Sequence, residues 1–250
     1  MVTKIQRSDI PVFYLPDLLR ERADNARSLP KRARTRLGLI AATAAEMDRV
    51  GYEKLTIEKI VEHARVARGT FYLYFPNRSD AAIAVSRAFT ALMRRYRPRA
   101  RPGDSAFQTI YRMNRFYVAC YARNARIRVG HEALMHERPE LSRSMDFLNH
   151  RWAKVVLRDL SRRIDAPPAL LDKPQSILAV RAIIGMADEL LREIFVRASP
   201  RLVNVARDEE NVAEVLTTLW FRALYGAQPP EAKEILPSAL PGNRVRRSKP

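Results

Sequence analysis

Apolar residues recur along this chain with the 3.6-residue period of α-helices, and no segment alternates convincingly with the period of two that marks a strand. Leu37, Ile40, Ala41, Ala44 and Met47 share one face of a helix predicted over 31–50, and Gly51 follows as its C-terminal cap. Thr56 stands as the N-cap of a second helix, whose apolar stripe is Ile57, Ile60, Val61 and Ala64. A short third helix over 67–74 ends at Pro76-Asn77, and Asn77 or Ser79 caps a fourth that runs to about Tyr96. Pro98-Arg-Ala-Arg-Pro-Gly-Asp104 reads as a linker. Beyond it, helices are expected near 105–122, 124–137, 140–164, 174–198 and 208–226, punctuated by Pro139, Pro167-Pro168, Pro174 and Pro200. The expected fold is all-α. Residues 1–30 form a partly disordered arm, 31–97 a helix-turn-helix unit with a connecting helix, 98–226 a larger helical domain, and 227–250 a basic, proline-containing disordered tail.

Charge changes this picture. The chain of 250 residues carries a formal charge of +18, which favours polyanions as partners, either nucleic acid or an acidic membrane surface. Fourteen lysines and arginines face six acids between 31 and 97, so the surplus is dense on the N-terminal unit. Thr56–Phe75 then reads as two short helices around a tight turn, ending in an aromatic, hydroxyl-rich and basic segment. That is the pattern of a helix-turn-helix whose second helix enters the DNA major groove. Thr56 lies at a helix N-terminus, where free N–H groups attract phosphate. Thr70 and Tyr72 offer hydroxyls to phosphate or base edges, and Arg68 suits a phosphate or a guanine. Gly69 either admits close approach of DNA or leaves a packing gap, Tyr74 either touches backbone or packs, and Phe71 and Phe75 read as core.

On these residues the unit resembles the DNA-binding domain of TetR-family transcriptional regulators, over roughly Arg34 to Val85, about a fifth of the chain. The matching positions are Ile40-Ala-Ala42, Gly51-Tyr52, Leu55-Thr56-Ile57, Ile60, Ala64, Val66, Gly69-Thr-Phe-Tyr72, Tyr74-Phe75 and Asn77-Arg78. Arg78 stands where the family usually has lysine and keeps a positive charge for phosphate, while Arg34, with Arg32 and Arg36, sits where an arm would reach the minor groove. Two positions depart from the pattern. Arg65 replaces the usual turn glycine, at a cost on the order of 1 kcal/mol if left-handed, though it also offers a phosphate contact. Ala67 replaces the serine or threonine that caps the recognition helix, costing about 1 kcal/mol.

The resemblance further implies a helical effector domain and dimerisation through the last two helices. Ile177, Val180, Ile184, Ala187 and Leu191 form an apolar stripe on one, and Val212, Val215, Leu216, Leu219 and Ala223 a stripe on the other. For an effector cavity, the helix from 105 places Asn114, Tyr117 and Tyr121 on an otherwise apolar face, either as oriented polar groups in a pocket or as a core stripe with satisfied hydroxyls. Phe89, Met93, Met135, Phe147, Trp152 and Met186 are further wall candidates. Arg112, Arg115, Arg123, Arg126 and Arg128 make the region basic, which suits an anionic ligand such as an acyl thioester or a solvated face.

Other classes find little support. His131 and His136 are five apart, about 140° around a helix, and do not make a zinc pair. There is no Gly-x-Ser-x-Gly elbow, phosphate-binding glycine loop or cysteine cluster, so neither an enzyme nor a cofactor or metal is expected. The single Cys120, among apolar neighbours, reads as a buried thiol in a reducing cytoplasm. No apolar run reaches the roughly 18 residues of a membrane span. The expected function is a cytoplasmic, nucleoid-associated homodimer that represses from a palindromic operator and is released by a small hydrophobic or amphipathic effector. An activator, an effector-independent regulator, and a nonspecific nucleoid or membrane-surface protein are the alternatives.

Overall fold

The computed structural model describes residues 11–164, 173–204, 206 and 208–226. Among them every regular element is helical. The helices are α1 (Leu15–Asp24), α2 (Lys31–Val50), α3 (Ile57–Ala64), α4 (Arg68–Tyr72), α5 (Arg78–Tyr96), α6 (Ala106–Arg123), α7 (Ala125–Glu137), α8 (Pro139–Ile164), α9 (Pro174–Leu191), α10 (Pro200–Val203) and α11 (Glu209–Tyr225). No helix among the described residues is long and apolar enough to cross a membrane.

Capping chemistry sets most boundaries. Gly51, at φ 81°, ends α2 and donates its N–H to the Met47 carbonyl. The Thr56 and Asn77 side chains accept from the N–H groups of Lys59 and Asp80, opening α3 and α5. Ser105 and Gln108 form a reciprocal capping box at α6. The expected long helix after Pro174 stops at Leu191, continues as a π-helical turn over Arg192–Val196, and breaks at Ala198, whose φ is 49°. The short α10 was not predicted. The tail from 227 and the Pro167-Pro168 break lie outside the described residues.

The segment expected to be an arm contains a docked helix. Leu15 and Leu19 of α1 are buried against α2, and the Phe13 ring lies 5.9 Å from Phe89 and 5.8 Å from Tyr96. Three polar contacts fix this strap. The Tyr14 hydroxyl donates to Asp48 of α2 at 2.6 Å. Leu15 donates its N–H to Asn124 Oδ1 at 2.7 Å, and Asn124 Nδ2 donates to the Phe13 carbonyl at 3.0 Å. Asn124 sits fully buried at the α6–α7 junction, so α1 ties the N-terminal head to the body behind it.

The second tie is α7. Arg126 donates to the Asp48 and Arg49 carbonyls at 2.9 and 3.1 Å, covering the C-terminus of α2. The Tyr52 hydroxyl donates to Glu137 at 2.5 Å. Gly130 makes the close approach possible, since a Cβ there would stand 2.7 Å from Met47 Cε and 3.1 Å from Tyr52 Cβ. Within the body, α6 packs on α11 through Asn114 and Thr217, and α8 packs on α9 around Ala153, Leu157, Val180, Ile183 and Ile184.

Candidate functional site

The head is a base of three helices carrying an exposed turn. Leu39, Met47, Leu55, Ile60, Phe71 and Phe75 are buried together, with Phe71 and Phe75 ring centroids 5.8 Å apart. Glu46, buried on α2, takes Arg49 and accepts from His63 Nδ1 at 3.1 Å, which pins α3 to α2. Burial pushes its carboxyl pKa upward, but the hydrogen bonds and charges of Arg49 and His63 outweigh that and hold it below the usual range.

The turn between α3 and α4 depends on Arg65. It adopts φ 53°, ψ 47°, the left-handed conformation, and Val66 donates its N–H back to the Val61 carbonyl at 3.0 Å. This closes α3 in a Schellman-type cap, with arginine in the position glycine favours. Ala67 then opens α4 without any side-chain cap.

The exposed surface of this unit carries Thr56, Arg65, Arg68, Gly69 and Tyr72, with Thr70 half-buried beside them. Tyr72 is 46% exposed and stands edge-on to Phe71. Arg68 pairs with Glu58 at 2.5 Å and approaches the Tyr72 hydroxyl at 3.4 Å. Both partners of that ion pair are well exposed, so it is a weak contact that a phosphate readily replaces. Arg34 is exposed on the first turn of α2. Tyr74 is half-buried against the core. Arg78 is engaged inward: its Nη1 donates to the Tyr52, Glu53 and Leu55 carbonyls at 3.3, 3.1 and 2.7 Å, and its guanidinium lies 5.1 Å over the Tyr52 ring. It clamps the α2–α3 loop with part of its donor set. Sequence reasoning missed Leu73, which is 73% exposed beside Tyr72. Its signal is one of composition, a large apolar residue where α4 ends and no core position remains.

The effector-wall candidates separate. Asn114 is buried and donates to Thr217 at 3.1 Å. The Tyr117 hydroxyl donates to Asp188 in a short contact, and its pKa is raised well above the usual value, first by burial and then by that carboxylate. Tyr121 is buried beneath the Arg128 guanidinium, 4.8 Å from its ring. This face of α6 is therefore packed core. Phe89, Met93 and Met135 belong to the core shared by head and body, and Trp152 is covered by Arg97 at 4.4 Å. Phe147 and Met186 are exposed. Arg112 is buried against Asp104 at 2.5 Å and Arg115 meets Glu210 at 2.8 Å, so these two are not a solvated face. Cys120 is buried, and desolvation pushes its thiol up to about 11.

The apolar stripes expected at a dimer interface turn inward. Val180, Ile184, Leu191, Val212 and Leu216 are buried in the chain's own core, because they face α6 and α8. Ile177, Val215 and Leu219 are half-buried. The outward face of α9 instead shows Leu178, Ala182, Gly185 and Met186.

Residues 39–85 match the family of bacterial regulatory proteins called the tetR family, over α2 to the first part of α5. The match covers the helix-turn-helix unit, about a fifth of the chain. A unit of this family supports a DNA-binding transcriptional regulator. The solved structure of the fatty acid degradation regulator FadR from Bacillus halodurans is similar at a TM-score of 0.51 and 19% identity, covering 76% of this chain and 94% of that one, which bears on the fold. No curated protein matches the chain.

Proposed function

We propose that this TetR-family regulator works in the cytoplasm as a homodimeric repressor that binds a palindromic operator and is released by a small effector. The observation that carries the DNA-binding surface is the solvent-facing run Arg65, Arg68, Gly69, Tyr72 and Leu73 on a base fixed by Phe71 and Phe75. Its hydroxyl and guanidinium groups suit phosphate and base edges, and the Leu73 side chain suits a thymine methyl. Dimerisation through the outward face of α9, with Val215 and Leu219 of α11, presents two such surfaces to half-sites about one helical turn apart or a multiple of it.

Release is supported by the position of α7. It lies against α2 through Gly130 and Arg126, so a ligand that shifts α7 shifts the helix-turn-helix base with it. A ligand that binds the shifted state more tightly depopulates the DNA-competent dimer. Footprinting on the DNA flanking its own gene tests the first part. A discrete, palindromic protected site is expected; uniform coating that disappears with modest salt would overturn it in favour of nonspecific binding.

A further inference from the structure

A cleft of about 160 Å³ opens between α5, α7 and α8, outside every position described so far as touching DNA. Its floor holds Ser86 and His131, which are 4% and 6% exposed. Ser86 Oγ and His131 Nε2 have no hydrogen-bond partner among the described residues. Two orphaned polar atoms on one cleft floor are costly, and such atoms are normally satisfied by protein, water or ligand. The walls are Leu141, Met145 and Leu148. The rim carries Arg87 and Arg94, and no acid lines the cleft. Neither arginine makes an ion pair among the described residues.

We infer that this cleft binds a small amphipathic monocarboxylate, its charged end between Arg87 and Arg94 and its apolar body against Leu141, Met145 and Leu148. This deepens the effector reading above by naming the site and the ligand class. The floor serves a neutral hydrogen-bonding group at the inner end of the ligand. Burial and the adjacent Arg128 charge lower His131 to about 4, so its imidazole is neutral near pH 7 and Nε2 can donate to or accept from such a group. The volume limits size. A cavity of about 150 Å³ takes a benzene-sized body, so the ligand is a small aromatic or short aliphatic acid with its carboxylate at the mouth. Because His131 follows Gly130 on α7, occupancy acts on the helix that rests on Met47 and Tyr52.

Titration calorimetry of the full chain with 4-hydroxybenzoate and with 6-hydroxyhexanoate, without DNA, tests the site. Saturable binding of one of them at one per chain is expected, with 4-hydroxybenzamide at least tenfold weaker than 4-hydroxybenzoate if the aromatic acid is the one that binds. The Arg87→Ala, Arg94→Ala double variant alters exposed side chains only and should weaken binding by about tenfold or more, as loss of charge-assisted bonds does. Ser86→Leu, checked for folding by circular dichroism, should block the floor. No saturable binding of either acid, or binding that the arginine double variant leaves unchanged, overturns the site. A gel shift with operator DNA and the bound acid reads the effector function separately. Binding without release keeps the site and removes the effector reading.

Discussion

At single residues, the helix-turn-helix departs from the best local chemistry in two places, and both are measurable. Arg65 holds a left-handed conformation that disfavours a Cβ by roughly 1–2 kcal/mol, partly offset by glycine's greater unfolded-state entropy. Arg65→Gly is therefore expected to stabilise the protein by about 0.5–1 kcal/mol in urea unfolding, and Ala67→Ser to add about 1 kcal/mol by supplying the absent cap. A lower midpoint for Arg65→Gly would show that the arginine side chain contributes more than its backbone costs. Tyr72 is exposed, so Tyr72→Ala should weaken operator binding by about tenfold or more while leaving the melting curve nearly unchanged. Unaltered affinity in a gel-shift titration would count against α4 as the reading helix. His131 carries the opposite linkage from a salt-bridged histidine. Its folded pKa of about 4 lies below the unfolded value near 6.5, so the unfolded chain binds the extra proton first. Stability is full above pH 6.5 and falls as pH drops toward 4, by up to about 3 kcal/mol. Burial and the Arg128 charge oppose protonation there, and no carboxylate lines the cleft to reverse it. His131→Gln should flatten this part of the pH–stability curve; an unchanged slope would assign the acid sensitivity to other groups.

At the scale of elements, two ties couple head to body, and they differ in how visible they are in the sequence. The helices from α2 to α8 follow from periodicity and caps, because each buries an apolar stripe and Gly51, Thr56, Asn77, Ser105 and Pro139 mark boundaries between them. The exposure of Arg68, Gly69 and Tyr72 was also legible, since they follow a turn whose chemistry is local. The α1 strap was not. Its helix is only ten residues long, and its docking depends on Asn124, more than a hundred residues away. The inward turn of α9 and α11 was equally hidden, because an apolar stripe looks the same whether it meets its own chain or a copy. The cleft between α5, α7 and α8 was missed because Ser86 and His131 become orphaned only when three distant helices meet. The strap makes its own prediction. Asn124→Ala removes three buried hydrogen bonds and leaves the Leu15 N–H and Phe13 carbonyl unpaired, which should destabilise the protein by about 3 kcal/mol. Hydrogen exchange should then show α1 losing protection before α2. Loss of protection spread evenly over the head would mean that α1 is not a separable strap.

At the scale of the whole molecule, the arrangement requires two copies to read a palindrome, so the dimer surface decides whether the head can act as proposed. The inward residues of α9 and α11 already form the core of one chain and cannot also meet another. What remains outward on α9 is Leu178 at 69% exposure, Met186, and the small residues Ala182 and Gly185 between them. These four lie at i, i+4, i+7 and i+8, one face of a helix, and the small pair allows a second helix to approach closely. A large exposed leucine on the same face as an exposed methionine marks a contact surface more strongly than an isolated one elsewhere. Leu178→Glu with Met186→Glu introduces like charges on that face without touching a buried position. The double variant is expected to sediment as a monomer with an unchanged far-ultraviolet spectrum, and its operator affinity should drop by two to three orders of magnitude, since two linked half-sites become one. The variant should still retain salt-sensitive contact with DNA, because each head keeps its own basic surface. A stable dimer in analytical ultracentrifugation would place the two-fold axis on a different face, and the spacing of the half-sites would then have to be derived from that face instead.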